Sequence, residues 1–188
     1  MKEEAKNEAQ EPCTKIVFFG DSITESGRNH MDGADLGVGY VKIAAGKLRL
    51  LYPDTKFCFV NRGNGGERTA DLLQRVEKDV VAEHPDYVVL QVGINDVWCR
   101  FSRGEEVTPE AFRANYEALV DAISKTGAKL FLIQPYALKM GDKQRFRPFL
   151  NRFNEIIRDI AKERGLTLIP VDEIFMGVTQ DIDPAQFS

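Results

Sequence analysis

Short apolar segments alternate along the chain with amphipathic segments of helical period. Five segments are almost continuously apolar and rich in β-branched and aromatic residues, as strands covered on both faces should be: Lys15–Gly20, Phe57–Asn61, Tyr87–Val92, Lys129–Gln134 and Thr167–Pro170. Between them, apolar residues recur at helical spacing on three stripes: Leu72–Val80, Phe112–Ile123 and Phe149–Ile160. A weaker helix is predicted over roughly Gly39–Leu50.

The order of these segments predicts the fold. Repeated strand and helix imply right-handed βαβ units, and therefore a flavodoxin-like three-layer α/β/α sandwich around a mostly parallel sheet of about five strands. Residues 13–188 are predicted to form one domain, and the polar, Glu-rich residues 1–12 a flexible arm. In such sheets, sites form at the carboxyl ends of the strands, so the residues that follow each strand are where chemistry is expected.

Composition excludes several functions. The net charge of −4 disfavours nucleic-acid binding, and no apolar run reaches the ~20 residues of a membrane span. No signal peptide is visible, which favours the cytoplasm, although a signal that has been removed would leave the same pattern. The three cysteines are widely spaced, without the spacing of a metal site, and are expected to be idle thiols in a reducing compartment rather than a disulfide framework.

Residues suited to catalysis or ligand binding follow three of the predicted strands. The first strand ends in Gly20–Thr24, where a tight turn presents the Ser22 hydroxyl at the edge of the sheet. The second ends in the glycine-rich loop Asn61–Thr69, which brings bare backbone close to a partner, and the third in Gly93–Asp96, where the Asn95 amide is a neutral donor for an oxyanion. Each feature alone has a simpler explanation: a serine N-cap, a flexible turn and a turn-forming asparagine.

Together the three stretches resemble the blocks of the GDSL/SGNH hydrolase family, in the same order, with isoleucine in place of the leucine of the first block. The resemblance implies that Ser22 is the nucleophile. It also implies an oxyanion hole formed by the backbone N–H groups of Ser22 and Gly66 and by the Asn95 amide. Gly66 is chosen over the other glycines of the loop because it lies five residues past Asn61, in the family's position.

The general base of that family is not found. A serine hydroxyl needs a base to attack at neutral pH, and the family takes its histidine from an Asp-x-x-His block near the C-terminus. His84 precedes the third strand, at the wrong end of the sheet, and His30 lies in the loop after Ser22, in the wrong family position. Residues 171–187 resemble the segment that leads into the missing block, so we expect either a truncated chain or a non-catalytic relative.

The resemblance implies hydrolysis of small-molecule esters through an acyl-enzyme, without a cofactor or metal ion, on substrates such as acetylated sugars or other short acyl esters. Residues 1–188 are expected to be nearly inactive alone, for want of the histidine. The alternative is a catalytically inactive SGNH-like module that binds acylated ligands. Trp98, which follows the Asn95 turn, could either line the substrate pocket or belong to the core.

Overall fold

The computed structural model describes residues 12–137 and 145–178. Its centre is a five-stranded parallel sheet in the order β2-β1-β3-β4-β5, which confirms the predicted α/β fold. The strands are β1 (Thr14–Gly20), β2 (Phe57–Gly63), β3 (Tyr87–Gln91), β4 (Lys129–Ile133) and β5 (Thr167–Ile169). The predicted arm, apart from Pro12, and residues 179–187 of the C-terminal segment compared with the family lie outside the described residues.

Seven α-helices connect and flank these strands within the described residues. They are α1 (Ser22–Glu25), α2 (Tyr40–Leu51), α3 (Thr69–Asp79), α4 (Ile94–Ser102), α5 (Pro109–Ser124), α6 (Arg147–Arg164) and α7 (Val171–Val178). The Thr108 side chain accepts a hydrogen bond from Ala111 N at 3.2 Å and so caps α5, which has proline at its first position. Gly165 ends α6 in the left-handed conformation, with φ of 63°.

The register of the strands places the chemistry-bearing turns side by side. Gly20, the last residue of β1, pairs with Gly63 of β2 on one side and with Gln91 of β3 on the other. The backbone N–H of Asn64 then donates to Gly20 O at 3.0 Å, just beyond the last paired residues. The chain therefore leaves these three adjacent strands at one edge of the sheet, and the segments that follow them are neighbours.

The two faces of the sheet are packed differently. Val17 and Phe19 of β1 point into the larger core cluster, which α3, α5 and α6 complete. Ile16 and Phe18 point to the opposite face, where α2 supplies the packing side chains. A groove of about 610 Å³ remains between α2 and the sheet, and its lining extends to β3, β4 and β5. The continuous apolar runs predict that both faces of the sheet are covered. On the α2 face, however, Tyr87 and other residues of the groove lining stay partly exposed.

The cysteines correct one expectation. Cys13 and Cys58 form a disulfide, with their Cα atoms 5.8 Å apart, instead of remaining free thiols. Parallel pairing of Lys15 with Cys58 brings the starts of β1 and β2 together, although the two cysteines are 45 residues apart in sequence. Cys99 is a free, buried thiol.

The described residues lack two kinds of structural feature. They contain no helix that is long and apolar enough to cross a membrane. They also contain no group of three or more His, Cys, Asp or Glu side chains that could hold a metal ion.

Candidate active site

Ser22 is presented at the start of α1 by a very tight turn. A Cβ atom on Gly20 would lie 2.2 Å from Gln91 O and 2.4 Å from the Thr24 hydroxyl, so only glycine fits there. The helix is capped by Asp21, whose side chain accepts a hydrogen bond from Ile23 N at 3.0 Å. The Ser22 side chain is therefore not the cap of α1, and the residue is exposed at the edge of the sheet.

The glycine loop packs against this turn. A Cβ atom on Gly63 would come within 2.1 Å of Glu25 N, so β2 approaches α1 as closely as backbone allows. A Cβ atom on Gly65 would lie 3.8 Å from Ser22 Cβ, which places Gly65 beside Ser22. Gly66 follows with φ of +79°, a conformation that favours glycine, and the position of its missing Cβ is open space. The loop thus exposes bare backbone next to Ser22.

Asn95 is tied to the same loop. Gly93, with φ of 134°, turns the chain after β3, and Asn95 lies in the first turn of α4. Its Nδ2 donates to Glu67 O at 2.9 Å, one residue past Gly66. An amide carries two N–H donors, so this bond leaves one of them for another acceptor. The glycine loop therefore contacts both the Ser22 turn and Asn95.

Comparison with known proteins identifies the family. Residues 18–186 match the model of the GDSL-like lipase/acylhydrolase family. The chain belongs to this family. The resemblance noted from the sequence is thereby confirmed, as is the general class of ester hydrolase.

Individual relatives agree with the assignment to the GDSL-like family. An acetylxylan esterase from Geobacillus stearothermophilus is 30% identical over 179 residues, which cover 91% of this chain and 82% of the esterase. Lipoprotein YqeF of Bacillus subtilis (strain 168), described as uncharacterised, is 28% identical over 176 residues, 82% of this chain and 69% of the lipoprotein.

Solved structures give the same result. That of Axe2, an acetylxylan esterase from Geobacillus stearothermophilus, superposes with a TM-score of 0.84 at 30% identity, covering 92% of this chain and 83% of Axe2. That of LAE5, a hydrolase from the metagenome of Lake Arreo, gives 0.85 at 31% identity, covering 92% and 84%.

An arginine outside the sequence motifs also joins the Ser22 turn to the glycine loop of this GDSL-like protein. Arg75 of α3 donates to Gly20 O at 3.2 Å and to Arg62 O at 3.0 Å, and its Nε bonds Glu67 Oε2 at 2.7 Å. Its guanidinium also lies 4.6 Å from the centre of the Phe19 ring. One side chain thus fixes the backbone before Ser22 and the far end of the glycine loop. These hydrogen bonds could not be predicted from the position of Arg75 on the amphipathic helix α3, because they form only when two loops come together in the folded protein.

Two buried carboxyl groups lie beneath the turns. Burial raises the pKa of Asp21 to about 7; the hydrogen bond from Ile23 opposes this increase, and the negative charge of Asp96 adds to it. Burial likewise raises the pKa of Asp96 to about 6, against the hydrogen bonds that it accepts from the hydroxyl and the N–H of Thr69. Within the described residues, Asp21 Oδ2 has no hydrogen-bond partner. The residue before Ser22 is therefore partly protonated near neutral pH.

The two histidines of the chain lie at opposite edges of the sheet. His84 is exposed and precedes β3 at the amino edge, away from Ser22. His30 is exposed as well, and its Nε2 contacts the Glu25 carboxylate. The second oxygen of that carboxylate lies against Gly65, where an added Cβ atom would meet it at 2.8 Å. His30 is therefore linked to the glycine loop through Glu25, whereas His84 is not.

Proposed function

We propose that this protein is a serine esterase that removes acetyl or other short acyl groups from carbohydrates through an acyl-enzyme. The observation that carries the proposal is the meeting of exposed Ser22 with Gly65 beside it and with Asn95 bonded to the glycine loop. The substrate class rests on the relatives, because acetylxylan esterases are named both among the similar sequences and among the similar structures.

In the proposed reaction, Ser22 Oγ attacks the carbonyl carbon of the ester while a histidine takes the hydroxyl proton. The tetrahedral oxyanion accepts hydrogen bonds from Ser22 N, Gly66 N and the second N–H of the Asn95 amide. A donor of this kind stabilises the transition state by roughly 3–4 kcal/mol. The same histidine returns the proton to the leaving sugar hydroxyl, and water then hydrolyses the acyl-serine.

We assign the base to an Asp-x-x-His block rather than to His30 or His84. Support comes from Axe2. Its solved structures include three separate catalytic mutants, in which alanine replaces a serine, an aspartate or a histidine. The histidine lies three residues after the aspartate, which is the spacing of an Asp-x-x-His block. Residues 1–188 hold their histidines at other places, after the Ser22 turn and before β3. Without an imidazole at the family position, we expect residues 1–188 to lack the base that would accept the Ser22 proton.

The first test measures p-nitrophenyl acetate turnover by residues 1–188. We expect a rate close to background for the chain itself and for Ser22→Ala. Free imidazole can replace a missing base, so it should raise the rate of the unchanged chain above that of Ser22→Ala at the same imidazole concentration. Rapid turnover that disappears in both Ser22→Ala and His30→Ala would instead assign the base to His30.

The second test uses the product of the whole reading frame. We expect a fluorophosphonate probe to label it and acetylated xylooligosaccharides to lose acetate in its presence, with both reactions lost in Ser22→Ala. A folded product that neither reacts with the probe nor releases acetate, yet binds the acetylated sugar, would favour the inactive binding module. Release of acetate by Ser22→Ala at the unchanged rate would refute Ser22 as the nucleophile.

A further inference from the structure

Trp98, the single tryptophan of the chain, lies close to the proposed oxyanion site. It follows Asn95 by three residues on α4, which is about 4.5 Å along the helix axis. Its residue surface is 46% exposed, so it is not the core aromatic that the sequence allowed. Exposed aromatic residues are common on protein surfaces, so exposure alone does not indicate a binding site. The location of Trp98 is what points to a ligand. Trp98 lies one helical turn from the amide that would bind the ester oxyanion.

The indole is held by a cluster of phenylalanines. Trp98 makes an edge-to-face contact with buried Phe146, with ring centres 5.1 Å apart and planes at 85°. Phe146 in turn packs on Phe101, with ring centres 4.7 Å apart. The tryptophan ring is thus supported by the junction of α4 and α6 while much of its surface stays open.

Charged side chains cover the other rings of this cluster. The Arg145 guanidinium lies 5.0 Å from the centre of the Phe101 ring and 5.4 Å from that of Phe146, and Arg100 lies 4.6 Å from that of Phe149. Among the cation–aromatic contacts of the described residues, none involves Trp98. Among the described residues, no cation covers the indole, which leaves its face open to a ligand.

We propose that Trp98 is the platform on which a sugar ring of the acylated substrate stacks. This inference rests on the proposed function and specifies the alcohol side of the ester. The face of an indole is electronegative, and the C–H groups on one face of a pyranose are weakly electropositive, so the two surfaces attract in addition to excluding water. In this proposal Trp98 contacts the sugar that carries the ester, and the acyl group lies at Ser22.

The first experiment uses Trp98 as its own reporter in Ser22→Ala, which keeps the ligand intact. Emission is recorded while xylotriose or acetylated xylotriose is added, with xylitol, an open-chain polyol, as the control. We expect a saturable change in emission with both ring-containing sugars and none with xylitol. An equal response to xylitol, or no saturable response to any sugar, would overturn the proposal.

The second experiment measures the dissociation constant of xylotriose by calorimetry in the Ser22→Ala background. Trp98→Ala should weaken binding about tenfold, which corresponds to about 1.4 kcal/mol, and Trp98→Phe should weaken it less. Tyr52→Ala, which removes a similarly exposed aromatic from the end of α2, should leave the constant unchanged. Circular dichroism of each variant confirms that it is folded.

The outcomes separate this inference from the proposed function. Equal affinity of Trp98→Ala and its parent for xylotriose would refute the platform, while Ser22-dependent esterase activity of the whole reading-frame product would still support the esterase. Loss of sugar affinity in Trp98→Ala, with no Ser22-dependent activity in that product, would support the platform and refute the esterase.

Discussion

The carboxyl group of Asp21 connects the Ser22 turn to the stability of the protein. It caps α1 through Ile23 N, is fully buried, and lies near a second buried carboxyl group, that of Asp96. Its pKa is about 7 in the folded protein, against an ordinary value of 3.8. The unfolded chain therefore loses this proton first as the pH rises, and the folded chain loses it only near pH 7. The stability that the protonated group contributes is full below pH 4 and is lost as the pH rises to about 7.

We predict that Asp21→Asn flattens this pH dependence. Asparagine can still accept the hydrogen bond from Ile23 N, but it cannot become charged. Relative to the unchanged chain, the variant should gain up to about 4 kcal/mol in free energy of unfolding between pH 4 and pH 8, since each pKa unit corresponds to about 1.4 kcal/mol. Urea denaturation at several pH values measures this difference.

The matched control is Asp54→Asn, which neutralises an exposed carboxyl group. Its free energy of unfolding should follow that of the unchanged chain at every pH. If Asp21→Asn and the unchanged chain show the same slope between pH 4 and 7, burial of a charged Asp21 is not the source of the effect.

Asn95 gives a prediction about catalysis. If the product of the whole reading frame has the proposed esterase activity, Asn95→Ala should lower its kcat for p-nitrophenyl acetate about 10²–10³-fold with little change in KM, because the proposed donor acts on the oxyanion and not on the bound ester. Steady-state kinetics measure the two constants. Asn151→Ala, on the exposed surface of α6, is the control and should be unaffected. A rise in KM at constant kcat would place Asn95 in substrate binding instead.

At the residue scale, the candidate site residues that belong to short sequence motifs could be predicted from the sequence. Ser22, the glycine loop and Asn95 were predicted because each follows an apolar run and matches a family block in order. Arg75 was missed because its partners are backbone oxygens of loops that come together only after folding. The capping role of Asp21 was missed for a related reason: both Asp21 and Ser22 are good N-cap residues, and the local sequence does not say which one the helix begins after.

At the scale of elements, the disulfide is the feature with the clearest energetic consequence. It joins the amino ends of β1 and β2 and closes a loop of 45 residues. In the chain-entropy model, such a loop restricts the unfolded state by about 4 kcal/mol. We predict that the double variant Cys13→Ser, Cys58→Ser loses about 2–4 kcal/mol in free energy of unfolding, measured by urea denaturation.

Reduction provides an internal control for this prediction. Dithiothreitol should lower the midpoint of the unchanged chain to that of the double variant and leave the variant itself unchanged. Thiol titration in denaturant without reductant should count one free cysteine, Cys99. A count of three would contradict the bond.

Elements with a long amphipathic stripe were predicted well, and short ones were not. The helices α3, α5 and α6 were found because each buries several residues at helical spacing. In contrast, α4 begins directly after Gly93, within a stretch whose sequence is typical of a turn, and α7 has eight residues within the described part of the chain. The sequence does not reveal the parallel register of β1 and β2, which brings the two disulfide cysteines together, because a crossover separates the two strands.

At the scale of the whole molecule, the sheet is packed unequally on its two faces. The face under α3, α5 and α6 is a continuous core, whereas the other holds the groove beside α2, lined by side chains such as Ile16, Phe57 and Phe131. Alternating strands and helices predicted the layers, but they do not specify which face each helix covers. That assignment depends on the hand of each crossover and on strand order, which were inferred only in general terms.

The groove leads to a prediction that needs no substrate. The folded chain should bind 1-anilinonaphthalene-8-sulfonate in a saturable way and release it when urea unfolds the protein. Ala44→Leu, which places three more carbon atoms at the lining of the groove, should weaken dye binding severalfold. The same change at Ala70, exposed on α3, should have no effect. Equal dye binding by both variants would show that the dye binds elsewhere.

The positions of the three cysteines have a practical consequence. Two are joined to each other at the sheet edge opposite Ser22, and the third is buried in α4. A cysteine introduced at an exposed position such as Ala82, near that same far edge, should therefore be the one thiol that reacts readily with maleimide. A single attachment point there would anchor the molecule to a biosensor surface with Ser22 and Trp98 directed towards the flowing solution.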